Sequence, residues 1–109
     1  MIEIKNIKGE VIYSCDCSTI KEAVERAVEE GVSLAMAYLE GANLRYATLK
    51  GANLKGANLK GANLFMANIT GTNFQDADLE DANMFVANLK GANLKGANLE
   101  DANLEDACF

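Results

Sequence analysis

Three cysteines, Cys15, Cys17 and Cys108, and acidic pairs such as Glu80-Asp81 and Glu100-Asp101 are the residues whose types and spacing bear on chemistry. Cys15 and Cys17 have one residue between them and no second pair follows, so the ligand spacing of a zinc site is missing. On a strand two such thiols approach each other only awkwardly, and they are expected to be buried thiols in a reduced protein. Adjacent carboxylates act as acid and base, or hold a metal, only where a pocket perturbs them or holds a substrate; here an open, solvated surface is expected. Gly51-Ala52-Asn53-Leu54-Lys55-Gly56 echoes the glycine spacing of a phosphate loop, but Ala57-Asn58 follows where Lys and Ser/Thr are required. The chain has no histidine. That removes the usual general base, the commonest metal ligand and every Ser/His or Cys/His nucleophile system. No catalytic, cofactor-binding or metal-binding residue is therefore assigned, no cofactor or small-molecule substrate is expected, and the chain reads as a non-enzyme.

The chain that must carry any function has 109 residues, one domain's worth, with 50% hydrophobic residues but only 6% aromatic and neither Trp nor Pro. A core made mainly of Leu and Ala is thin and needs regular stacking. The net charge of −6 and pI near 4.5 disfavour direct binding to nucleic acid or to an anionic membrane. Met1-Ile2-Glu3-Ile4-Lys5 alternates apolar with charged residues, and no apolar run approaches the ~18 residues of a membrane span. A soluble, unexported, cytoplasmic chain is expected, which leaves the sequon Asn68-Ile69-Thr70 without meaning.

From Val32 onward the sequence repeats every five residues. A central apolar position recurs from Leu34 to Phe109, 16 times in all; 12 are Leu and the others are Ile69, Phe74, Met84 and Phe109. Two residues before each centre stands Ala in 14 units, with Val32 and Thr72 the exceptions, and one residue before it Asn appears 11 times. An α-helix would spiral such centres around its axis, and a flat strand would send them to alternate faces. The pattern is satisfied by a coil that bends once per unit and points the centre and the small residue inward. Gly41, Gly51, Gly56, Gly61, Gly71, Gly91 and Gly96 supply the bends. Low-complexity disorder is the blander reading, but it does not require an apolar residue at every centre.

Units such as Ala42-Asn43-Leu44, Ala62-Asn63-Leu64 and Ala97-Asn98-Leu99 resemble those of the pentapeptide repeat family, over about 78 of the 109 residues. The resemblance implies an all-β solenoid, a right-handed quadrilateral β-helix with four units per coil and hence four coils. At ~4.8 Å per layer these stand roughly 19 Å tall.

Residues 1–31 fall outside the repeat and read as a small α/β cap on a coil over residues 32–109. Ile2–Ile7 and Val11–Cys15 have strand composition around Lys8-Gly9-Glu10, a hairpin signal. A helix follows, with Thr19 as N-cap, Glu22 completing a capping box, Gly31 as C-cap, and an apolar stripe of Ile20, Ala23, Val24, Ala27 and Val28. Such a cap would cover the apolar end of a solenoid. At the other end Leu104 and Phe109 are candidates for an end-to-end homodimer contact, or are protected by Glu105 and Asp106.

With four units per coil, residues twenty apart share a face. One face presents Arg45-Tyr46, Phe65-Met66, Phe85-Val86 and Glu105-Asp106, apolar over three layers. Tyr46, Phe65, Met66, Phe85 and Val86 are the candidate interface, for a protein partner or a second copy. The alternative is a ladder that stabilises the solenoid by ~0.2–1 kcal/mol per pair without a partner. Several pentapeptide repeat proteins resemble a DNA duplex and bind DNA gyrase or topoisomerase in its place, which is the rival function. Residues 32–109 carry nine acids against six bases, Lys50, Lys55 and Lys60 interrupt any acidic stripe, and no break in the register hosts the projecting loop that the gyrase-binding members tend to carry. A protein-interaction scaffold is the better expectation.

Overall fold

Each five-residue unit bends in the same way, and the unit around Leu44 shows how. The Leu44 carbonyl accepts from the Ala47 N–H at 3.0 Å, closing a four-residue turn whose third residue, Tyr46, has φ +61°. That positive φ belongs to the type II turn. Asparagine before the centre serves the same turn: Asn53 Oδ1 accepts from the Lys55 N–H at 3.1 Å, and Asp78 does the same for Glu80 at 3.0 Å. These Asx turns satisfy backbone donors that the bend removes from any ladder. The computed structural model describes Met1–Phe109, and the corner recurs at every fifth residue from Met36 to Asp106, always with positive φ.

Hydrogen bonds then lock one layer to the next. The Leu44 N–H donates to the Asn63 carbonyl at 2.8 Å, the Tyr46 N–H to that of Phe65 at 2.8 Å, and the Asn63 N–H to that of Ala42 at 2.9 Å. Parallel bridges join residues twenty apart, from Tyr38 with Asn58 to Asn88 with Cys108. Between these rungs, the centres from Leu34 to Leu89 and the alanines two residues before them, from Ala47 to Ala87, are buried in one apolar core. Thr72, which replaces one alanine, is the sole buried polar residue; its hydroxyl donates to the Leu49 carbonyl at 2.8 Å, which removes the cost of burying it.

The first 30 residues fold against one end of this stack. Strands β1 (Ile2–Lys5) and β2 (Val11–Cys15) form an antiparallel hairpin, and helix α1 (Ile20–Glu29) follows. Thr19 caps α1 by accepting from the Glu22 N–H at 3.1 Å, Glu22 accepts in return from the Ser18 N–H at 3.2 Å, and Gly31 with φ +74° turns the chain out of the helix. Ile4, Ala23, Val24 and Ala27 join the same core as the repeats. The hairpin is tied to the first layer by Tyr38 N–H to the Lys5 carbonyl at 2.7 Å, and α1 by Thr48 N–H to Glu25 at 2.8 Å. Tyr13 on β2 donates to Glu30 at 2.9 Å; desolvation first, and that hydrogen bond second, raise its pKa above the ordinary value.

The expectation for the cysteines is overturned. Cys15 and Cys17 are joined in a disulfide with their Cα atoms 5.2 Å apart, inside the usual range for such a bond. They are half-buried rather than buried, because the chain leaves β2 at Cys15 and bends at Asp16. The bend shortens the spacing that an extended strand would hold open. Cys108 is free and exposed. No helix is long and apolar enough to cross a membrane.

Candidate functional site

Fifteen corner residues share the left-handed backbone, and seven of them are glycine. Four more are Asp76, Asp81, Asp101 and Asp106, a residue type that tolerates this region because its short polar side chain bonds locally. The remaining four, Met36, Tyr46, Met66 and Val86, are large and apolar, and for a β-branched residue such as Val86 a positive φ is a genuine outlier. Met36 lies across Gly56, so closely that a Cβ there would come within 2.5 Å of its sulfur. Tyr46, Met66 and Val86 share one column and remain 53%, 47% and 38% exposed.

Beside that column runs a second one. Phe65 and Phe85 are half-buried and stack with ring centroids 5.8 Å apart and planes 17° from parallel. Tyr46 meets Phe65 edge-on at 5.5 Å. The Arg45 guanidinium lies over both rings, 5.5 Å from the Tyr46 centroid and 6.0 Å from that of Phe65, within cation–π range. The structure thus brings all five candidate interface residues together on one face. Glu105 and Asp106 continue the face at its far end, since the Val86 N–H donates to the Glu105 carbonyl at 3.1 Å.

Above Arg45 the face opens into a shallow cleft of about 510 Å³ between the start of α1 and the first layer, lined by Thr19, Ile20, Lys21, Asn43, Arg45 and Tyr46. The part played by Arg45 and Lys21 is missed by sequence reasoning centred on apolar residues. Arg45 is signalled by its place in the column; Lys21 depends on the docking of α1, which no periodicity reports.

Elsewhere on the surface three ion pairs form. Lys21 and Glu25 approach to 3.2 Å, Arg26 and Glu22 to 3.2 Å, and Lys60 and Glu80 to 3.4 Å. The Lys60 ammonium has its pKa raised, chiefly by its hydrogen bond to Glu80 and then by that carboxylate's charge. No group of three or more His, Cys, Asp or Glu residues is placed to hold a metal ion. At the end opposite α1, Leu104 is half-buried beside Leu94 and Leu99, and Phe109 is 66% exposed.

The family model for pentapeptide repeats matches the chain in eight copies, over residues 33–71, 51–84 and 77–109. Among solved structures, alr5209, a pentapeptide repeat protein from Nostoc Pcc 7120, is 38% identical and superposes with a TM-score of 0.77, covering 86% of this chain and 78% of that one. A pentapeptide repeat protein from the cyanobacterium Cyanothece 51142 is 36% identical with a TM-score of 0.41, covering 65% of this chain and 52% of its own. One from the thylakoid lumen of Arabidopsis thaliana is 34% identical with a TM-score of 0.46, covering 64% and 52%. A comparison with curated protein sequences gives no match.

Proposed function

The chain belongs to the pentapeptide repeat family, whose members are right-handed β-helices, and on that premise we propose that it is a non-enzymatic protein-interaction scaffold. Its contact face is Tyr46, Phe65, Met66, Phe85 and Val86. In this reading residues 32–109 form a quadrilateral helix of four coils and residues 1–31 are its cap. The partner is a protein, foreign or a second copy, rather than a nucleic acid, a membrane or a small molecule.

The observation that carries the reading is the placement of Tyr46, Met66 and Val86 at three left-handed corners of one column. The coil imposes this backbone at every corner, and large apolar residues stand at these three where glycine or aspartate fills most of the others. Exposed apolar side chains in a contiguous patch mark contacts with other proteins. Leu104 and Phe109 are the second surface for self-association, resting on their partial exposure. The duplex-mimic reading is weaker, because Lys60 neutralises Glu80 where a continuous acidic stripe is needed.

The test is the double substitution Phe65→Ser/Phe85→Ser, followed by solution mass from light scattering over a concentration series and by thermal unfolding. Lost association with an intact fold is the expected result. A lowered midpoint with association unchanged makes the column a stabilising ladder and sinks the proposal. Loss of association only on truncating the chain before Leu104 moves the contact to the open end.

A further inference from the structure

We propose that the occupant of this face is a second copy of the same chain, paired antiparallel about a two-fold axis that crosses the face between Phe65 and Phe85. This rests on the reading of the face as a contact surface. The ground for it is the order of chemistry along the column: Arg45 at one end, then Phe65 and Phe85, then Glu105, with Tyr46, Met66, Val86 and Asp106 alongside. Layers recur every twenty residues, so a two-fold axis midway between Phe65 and Phe85 exchanges the two inner layers and the two outer ones. Phe65 and Met66 of one copy then meet Phe85 and Val86 of the other. Arg45 meets Glu105 and Asp106, twice over, as an isologous interface requires. A parallel pairing would set arginine on arginine and acid on acid.

The groups that this arrangement joins are free to join. Arg45 makes no ion pair within the chain and rests only on the Tyr46 and Phe65 rings. Neither Glu105 nor Asp106 has a basic partner within its own chain. The cleft that receives the two acids is walled by Arg45 and by Lys21, and Lys21 carries only one carboxylate, that of Glu25, at 3.2 Å. Complementary charge of this kind fixes register and orientation.

The size of the face sets the strength expected. A face roughly 19 Å tall and 20 Å wide offers on the order of 400 Å² per copy, half of the ~800 Å² that a standard stable interface buries per partner. The dimer is therefore weak, reversible and salt-sensitive.

Sedimentation equilibrium of the full chain, from ~10 μM to ~1 mM at low and high salt, measures it. Arg45→Glu alone, and Glu105→Lys/Asp106→Lys alone, are each expected to weaken association about tenfold, because two attractive contacts become repulsive. All three residues are at the surface, and circular dichroism checks that the fold is kept. An equimolar mixture of the two variants is expected to associate at least as well as the wild type, since each contact between unlike copies is again between opposite charges. The triple variant Arg45→Glu/Glu105→Lys/Asp106→Lys is expected to regain self-association.

A wild type that stays monomeric to ~1 mM at low salt overturns this proposal, while leaving the face for a foreign partner. A dimer lost in Phe65→Ser/Phe85→Ser but indifferent to the charge reversals, or a mixture that fails to associate, keeps the contact face and overturns the antiparallel pairing. A dimer indifferent to both sets, and lost only when Leu104 and Phe109 are replaced, overturns the pairing and the contact face together.

Discussion

At the corners marked by Gly51, Gly71 and Gly91 the backbone φ lies between 64° and 73°, and at the adjoining corners of Tyr46, Met66 and Val86 it lies between 54° and 61°. One backbone thus serves two chemistries. A bulky L-residue in this region costs about 1–2 kcal/mol, whereas glycine costs ~0.5–1 kcal/mol in lost chain freedom. The excess, roughly 0.5–1 kcal/mol per corner, cancels what a cross-strand ladder returns, about 0.2–1 kcal/mol per pair. The corner residues Tyr46, Met66 and Val86 therefore give the solenoid little net stability over glycine. What distinguishes the two is what they offer to solvent.

Four measurements break or sharpen that contrast. The largest effect ignores it: Leu64→Ala under the apolar corner and Ile69→Ala under the glycine corner, both fully buried, are each expected to lose about 2–5 kcal/mol in urea unfolding. A marked difference between them would mean that the face outside contributes to the core beneath. Next comes Gly71→Val, at a corner with nothing within 4 Å of an added Cβ. Its expected loss of about 0.5–1 kcal/mol is the backbone penalty less the chain freedom that glycine gives up, and no loss would remove the argument from strain. Beside it, Thr72→Val deletes the buried hydroxyl that bonds the Leu49 carbonyl and is expected to cost about 1 kcal/mol. The counterpart of Gly71→Val is Val86→Asn, expected to change stability by less than about 0.5 kcal/mol while weakening association, because asparagine tolerates positive φ and the relief offsets the lost ladder contact. A loss of stability there would restore the ladder.

The smallest effect lies on a neighbouring face. The pKa of Lys60 is raised by Glu80, so the folded chain holds that proton more tightly than the unfolded chain. The stabilisation is complete below the ordinary lysine value of 10.5 and is lost as pH rises through the folded-state value. Lys60→Met should flatten that alkaline slope in a series of unfolding curves without altering association.

The repeat was legible because one physical demand, an apolar residue facing inward at each turn, is imposed at every unit and leaves Leu34 through Phe109 in register. The capping box of Thr19 and Glu22 and the turn at Gly31 were legible for a similar reason, since helix ends require donors and acceptors at fixed offsets. The part played by asparagine was not legible: its side chain closes the turn, as Asn53 does for Lys55, a contact between near neighbours that composition does not display. The bond between Cys15 and Cys17 was misread because it depends on one bend at Asp16. The strain at Val86 was equally hidden, since corner residues look interchangeable until their φ is known. Lys21 joined Arg45 only through the docking of α1 on the first layer, a tertiary event with no counterpart in the five-residue period.

The graded burial of the centres has a consequence for motion. Leu34, Leu44 and Leu64 are fully shielded, whereas Leu94, Leu99 and Leu104 are only half so, and each layer is bonded only to the layers beside it. Opening therefore begins at the layer of Leu94 and proceeds toward α1, as a zip opens from its slider. Amide protons of Leu94 and Leu99, which donate to no backbone carbonyl, are expected to exchange before those of Leu44 and Leu49, which donate to Asn63 and Asn68. Since Glu105 and Asp106 belong to the layer that opens first, a second copy held there would act as a latch and slow the exchange of the whole rod from its weakest end.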